Sequence, residues 1–153
     1  MKIAINVCHG GFSLSKKAVK RLAELQGRPC FFFKPVGMTF KYTPITEKEA
    51  DNSPLWTAFD IPDPSIFPPS EPWAELSQEQ MQAYNEAFKK HHIDNRPEKR
   101  DDPLLIQVIE ELGPLANGRF ATLKIVEIPD DVEWEIDAYD GYETVEEKHR
   151  SWG

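Results

Sequence analysis

The residues best suited to chemistry in this 153-residue chain stand near its start, in Lys2-Ile-Ala-Ile-Asn-Val-Cys-His-Gly-Gly-Phe-Ser-Leu-Ser15. Gly10 and Gly11 permit a left-handed backbone or close approach of another group. Asn6, His9, Ser13 and Ser15 place polar side chains around them, and Phe12 adds a ring that could stack on a base. Lys16, Lys17, Lys20 and Arg21 then put four of the eighteen basic residues into the first turns of a helix. Cations there oppose the helix dipole, so they do not serve the helix itself. With the free N–H groups of a helix start they suit a phosphate or a carboxylate. Arg150 is a second anion contact near the other end of the chain, and Trp152 a stacking surface. The string lacks the full phosphate-loop and dinucleotide fingerprints. It suits anion binding through backbone groups, and the plainer reading of a tight turn followed by a solvated helix face stays open beside it.

Other residues could carry chemistry, with less support. His91 and His92 are neighbours and point apart on a helix, and no His-x3-His or Cys-x2-Cys spacing calls for zinc. Cys8 beside His9 has the composition of a nucleophile and its base. Adjacent residues on a strand face opposite ways, however, which reads Cys8 as core packing. Between Glu127 and Glu147 stand ten acidic residues and no basic one. Paired carboxylates could hold a metal, but their alternation reads as the wet face of a hairpin. Arg96, Lys99 and Arg100 form a second basic cluster. No cofactor is expected.

These residues need elements to hold them. Ile3, Ile5 and Val7 alternate with Ala4, Asn6 and Cys8 in a strand fit for burial on both faces. Ser13 or Ser15 caps the next helix, whose stripe is Ala18, Val19, Leu22 and Leu25, and Gly27 ends it. Cys30-Phe-Phe-Phe33 reads as a second strand, so the chain opens β-α-β, which favours parallel pairing through a right-handed crossover. Met38 to Thr43 reads as extended, with Phe40 and Tyr42 on one face. From Pro44 to Pro72 regularity fails. Six prolines fall between residues 54 and 72 among aromatic side chains, and the stretch 44–76 reads as an ordered loop packing its rings on the body or on a partner. Ser77 and Gln80 form a capping box ahead of a helix lined by Met81, Tyr84 and Phe88. Asp102-Pro103 opens another, with Leu104, Leu105, Val108, Ile109 and Leu112 buried and Gly113-Pro114 as its stop. Strands follow over 121–128 and 132–139, and Asp140-Gly141 returns the chain as a third through Val145. The expected class is α/β in the α+β sense: one domain over 1–153, with a small mixed sheet, two further helices and a C-terminal antiparallel hairpin.

Composition sets limits. Forty per cent apolar and 29 per cent charged residues are ordinary for a globular domain. A net charge of −8 argues against a general nucleic-acid binder, which needs a broad basic surface. Two cysteines inside apolar runs read as reduced, buried thiols. With no extended apolar leader and no membrane-length run, a cytoplasmic protein is expected, in the host cytoplasm if phage-encoded.

Three strings carry a resemblance: the opening one, Asp102-Pro-Leu-Leu-Ile-Gln-Val-Ile-Glu-Glu-Leu-Gly113, and Leu123-Lys-Ile-Val-Glu-Ile-Pro-Asp-Asp-Val-Glu-Trp-Glu-Ile136, which continues to Tyr139-Asp-Gly141 and Glu147-Lys-His-Arg150. Together they span about a third of the chain. They resemble a family of short, functionally unassigned proteins of phages, prophages and bacterial genomes. A tyrosine commonly stands there in place of His9, which moves weight from that side chain to the glycine backbone. Its setting is similar to that of small phage proteins that disarm bacterial immunity, several of which sequester cyclic or ADP-ribose-type nucleotide signals without cleaving them. The family carries no assigned activity; by analogy of setting, the expected reading is a non-enzymatic protein that sequesters a phosphorylated or nucleotide-like ligand. Two other readings stay open. One is a nucleotide hydrolase using His9 or His149 with a metal on the acidic hairpin. The other is an inhibitor that docks residues 54–73 on a host protein; such a loop could also seal a homo-oligomer.

Overall fold

The computed structural model describes residues 1–36, 42–63 and 75–148. The class is α+β, and every strand pairing among the described residues is antiparallel. The chain divides into two compact units. One takes in Met1–Leu22 and the chain from Asn95 onward; the other is Ala23–Asp94.

In the first unit β1 (Lys2–Asn6) pairs along its whole length with β5 (Leu123–Glu127), Ile3 opposite Val126 and Ile5 opposite Lys124. The expected parallel pairing of the first two strands does not form. The reason lies on the other edge of β1. The Ala4 N–H donates to the Arg100 carbonyl at 2.9 Å, and the Asn6 N–H donates to Glu143 Oε1 at 2.8 Å. With those donors taken, no further strand can join there.

Helix α1 (Lys16–Leu25) begins where Ser15 Oγ accepts the Ala18 N–H, and it buries Ala18, Val19, Leu22 and Ala23. Helix α4 (Pro103–Leu112) follows its sequence signals closely. Asp102 caps it by accepting the Leu104 N–H at 2.9 Å, Pro103 occupies the first turn, and Gly113 at φ +55° ends it. Leu105, Ile106, Val108 and Ile109 are its buried face, joining Ile3, Ile5, Leu14 and Val19 in the core of this unit. The hairpin β6 (Trp134–Tyr139) and β7 (Tyr142–Glu147) turns at Asp140-Gly141, both at positive φ as a tight two-residue turn needs.

The second unit holds β2 (Phe31–Pro35), flanked antiparallel by β3 (Tyr42–Pro44) and β4 (Thr57–Phe59). Short connections bring β2 its neighbours at little loop-closure cost. The stretch from Pro44 onward is more regular than expected. Besides β4 it contains helix α2 (Glu47–Asp51), capped by a reciprocal box between Thr46 and Glu49. That Thr-x-x-Glu spacing was readable but sat among prolines. Helix α3 (Gln78–His91) has the expected Ser77–Gln80 box and turns Tyr84 inward. Phe33, Phe59 and Tyr84 form the core, with Tyr42, Met81 and Phe88 packed around them. His92 stacks on Phe88 with ring centroids 4.3 Å apart, and burial holds its imidazole below the ordinary histidine range. Asp60 accepts from Arg28 Nε at 3.1 Å and pairs with His91 Nδ1 at 2.8 Å. Among the described residues no helix is long and apolar enough to cross a membrane. Phe40 and residues 64–74 of the proline-rich stretch lie outside the described residues.

Candidate functional site around the glycine turn

Asn6, at the end of β1, is fully buried, and its side chain is spent on its neighbours. Its Nδ2 donates to the carbonyls of Cys8 at 2.7 Å and Gly141 at 2.8 Å, while its Oδ1 accepts the Thr122 N–H at 2.8 Å. This one amide ties the glycine turn, the hairpin turn and the start of β5 together. A ligand would find no donor left on it.

The next layer is charged. Glu143, on β7, accepts the Asn6 N–H and two bonds from Arg100, at 2.7 and 3.1 Å. Arg100 also donates to the Pro97 carbonyl, and its guanidinium lies 3.7 Å from the ring centroid of Phe12. Phe12 is therefore buried beneath an arginine instead of being presented to a base. Such a pair is bidentate, and its remaining face is covered by a ring with a negative π surface.

The glycines serve packing first. A Cβ on Gly10 would sit 1.7 Å from the carbonyl oxygen of Phe120, and one on Gly141 would sit 2.6 Å from the Gly11 nitrogen. Two turns thus close directly onto the diglycine backbone, which no larger residue would allow. Gly11 itself, at φ +86°, has open space beside it. The two turns each bring an exposed ring. Phe120 is 65 per cent exposed with the Arg119 guanidinium 5.1 Å from its centroid, and Tyr142 is 40 per cent exposed with its ring 5.6 Å from that of His9. Gly11 thus has open space beside it, and each of the two turns that touch the diglycine backbone carries an exposed ring.

Cys8 borders the same surface and is only partly buried, contrary to its reading as core packing. Its Sγ lies 3.0 Å from the Phe120 carbonyl oxygen and 3.3 Å from Asn6 Oδ1, and its single S–H can donate to either. The Gly10 backbone N–H, with Thr122 and Asn6 contributing further, holds the thiol below its ordinary range. Cys30 is likewise only partly buried.

Of the side chains expected at this corner, Asn6 and Ser15 are bonded within the chain. Residues 12–15 connect the glycine turn to α1, with Leu14 bridged to Asn117. Ser13 accepts the Gly118 N–H through its carbonyl, and Ser15 Oγ donates to the Leu115 carbonyl at 2.6 Å while capping α1. Lys16 and Lys17 stand in the first turn of α1, and Lys17 is exposed. On the same helix Arg21 pairs with Glu111 at 2.9 Å. What the structure does gather is Asn6, His9, Gly10 and Gly11. Arg150, Trp152 and His149 lie outside the described residues. Sequence reasoning missed Phe120, Tyr142, Glu143 and the role of Arg100. The exposed ring next to an Asn-Gly turn, Asn117 to Phe120, was the one local signal for the first of them.

Elsewhere in this unit a cleft of 620 Å³ runs beside α4, lined by Met1, Lys2, Pro103, Ile106 and Glu110 among others. Its Lys2 and Glu110 neutralise each other at 2.7 Å. Among the described residues no three His, Cys, Asp or Glu side chains converge as a metal ion would require. Comparisons with protein-family models, curated proteins and solved structures return no match to this chain.

Proposed function

We propose that this protein works by binding and not by turnover, as a small phage-type protein that sequesters a nucleotide-like ligand on the surface around its glycine turn. The observation that carries the reading is the open space beside Gly11 with exposed rings on both turns that touch the diglycine backbone, Phe120 with Arg119 on one and Tyr142 with His9 on the other. A base stacked on such side chains contributes about 1–3 kcal/mol per base. Arg119 supplies a cation for a phosphate beside the ring. The fixed network of Asn6, Glu143 and Arg100 holds both turns in place, so little ordering is left to the moment of binding.

Thermal-shift screening with adenosine monophosphate, ADP-ribose and cyclic dinucleotides tests this. At least one should raise the melting temperature, Phe120→Ala should weaken that effect, and the ligand should be recovered intact after incubation. Absence of stabilisation by every member contradicts the binding claim. Recovery of a cleaved nucleotide contradicts the non-enzymatic part of it.

A further inference from the structure

The outer face and outer edge of the β6–β7 hairpin have properties that folding does not explain. Glu135 lies directly opposite Glu146, the two strands placing like charges side by side. That arrangement destabilises a hairpin. Asp137 shares their face, and Tyr139 closes it at 80 per cent exposure. Among the described residues Glu133, Glu135, Asp137 and Glu146 form no ion pair. Among the described residues the strand β6 also has one strand neighbour only. The Lys148 N–H donates to the Glu133 carbonyl at 2.9 Å, which fixes the phase of the ladder. Glu135, Asp137 and Tyr139 then bond toward β7, and the N–H and C=O groups of Trp134, Ile136 and Ala138 point the other way.

We infer that this edge receives an extended, basic segment of a partner protein, which adds as a strand beside β6. The period of two fixes what the segment looks like. Its arginine or lysine side chains, at alternate positions, lie next to Glu135 and Asp137 at cross-strand distance, and a guanidinium stacks on Tyr139. Its intervening apolar side chains lie beside the half-buried Trp134 and Ile136. Main-chain bonds give the affinity and the alternating pockets give the selectivity, as in other strand additions. A second copy of β6 is a poor occupant, because it would set these carboxylates against themselves. The inference uses neither Gly10, Gly11 nor Phe120, and it meets the nucleotide reading only where Tyr139 lies opposite Tyr142.

Fluorescence anisotropy on the full chain tests it with three labelled peptides: one alternating arginine with valine, one with the same residues in two blocks, and one alternating glutamate with valine. The alternating basic peptide should bind roughly tenfold more tightly than the block peptide, and added salt should weaken it. Glu135→Gln with Asp137→Asn should reduce binding by roughly three- to tenfold. Ala138→Pro removes an outward N–H while sparing the ladder to β7. It should abolish binding with the nuclear Overhauser contacts between Tyr139 and Tyr142 intact. Equal affinity for alternating and block peptides overturns the inference, as does no binding at all. Concentration-dependent self-association that Ala138→Pro removes would show a second copy at the edge and overturn the choice of partner.

Discussion

Replacing Glu143 by alanine tests the network beneath the glycine turn most severely. The Arg100 and Glu143 side chains are 14 and 10 per cent exposed. Removing the carboxylate leaves a guanidinium without its counter-ion and deprives the Asn6 N–H of its acceptor. Breaking a largely buried pair from one side costs about 3–5 kcal/mol, because the orphaned charge keeps its desolvation penalty. Glutamine keeps the shape and one acceptor oxygen, so Glu143→Gln should cost less, about 1–3 kcal/mol. Replacing both Arg100 and Glu143 by methionine should cost less than the alanine change alone, since no charge is then stranded. The assay is native-state hydrogen exchange of the Ala4 and Asn6 amides, with urea unfolding for the global value. Protection at Asn6 should fall by more than about 100-fold in the alanine variant. If Glu143→Ala changes stability by less than about 1 kcal/mol, or the double replacement is the worst of the three, the buried-charge reasoning is wrong.

Other outcomes follow from the same geometry. Gly10→Ala should lower the melting temperature far more than Gly11→Ala, since a Cβ on Gly10 meets the Phe120 carbonyl whereas Gly11 has open space and bears only the left-handed backbone penalty of about 1–2 kcal/mol. His92, held by burial below the ordinary histidine range, binds its proton more readily in the unfolded chain. The stability it contributes is therefore present above the unfolded value of about 6.5 and is lost as pH falls below it, and His92→Phe should flatten that limb of a pH–stability curve. Cys8 should be alkylated by iodoacetamide with a pH midpoint below that of an unperturbed thiol, about 8.5, and Thr122→Ala should move the midpoint upward. Mass spectrometry across a pH series reads both shifts.

Local signals in the sequence were reliable where a short span decides the outcome. The Asp102-Pro103 start and Gly113 stop of α4, the Ser77 box of α3 and the Asp140-Gly141 turn all sit where their spacing put them. Partners distant in sequence were not legible. Nothing near Asn6 says that its N–H will meet a carboxylate at position 143, and that contact is what closes the edge of β1 to a parallel neighbour. The same limit applies to the site. The glycines were conspicuous as an opening for a ligand, but much of that opening is filled by two other turns of the same unit. Phe12 looked available for stacking because its cover, Arg100, lies 88 positions further along. Cys8 looked buried because its neighbours are apolar, whereas its environment is set by the Phe120 carbonyl and the Gly10 amide.

An NMR titration of the isotopically labelled chain with adenosine monophosphate and ADP-ribose tests the central claim most directly. Shifts should concentrate at His9, Gly10, Gly11, Arg119, Phe120 and Tyr142 and saturate with added ligand. Shifts confined to Lys16 and Lys17 at the start of α1, or none at saturating concentration, contradict the account.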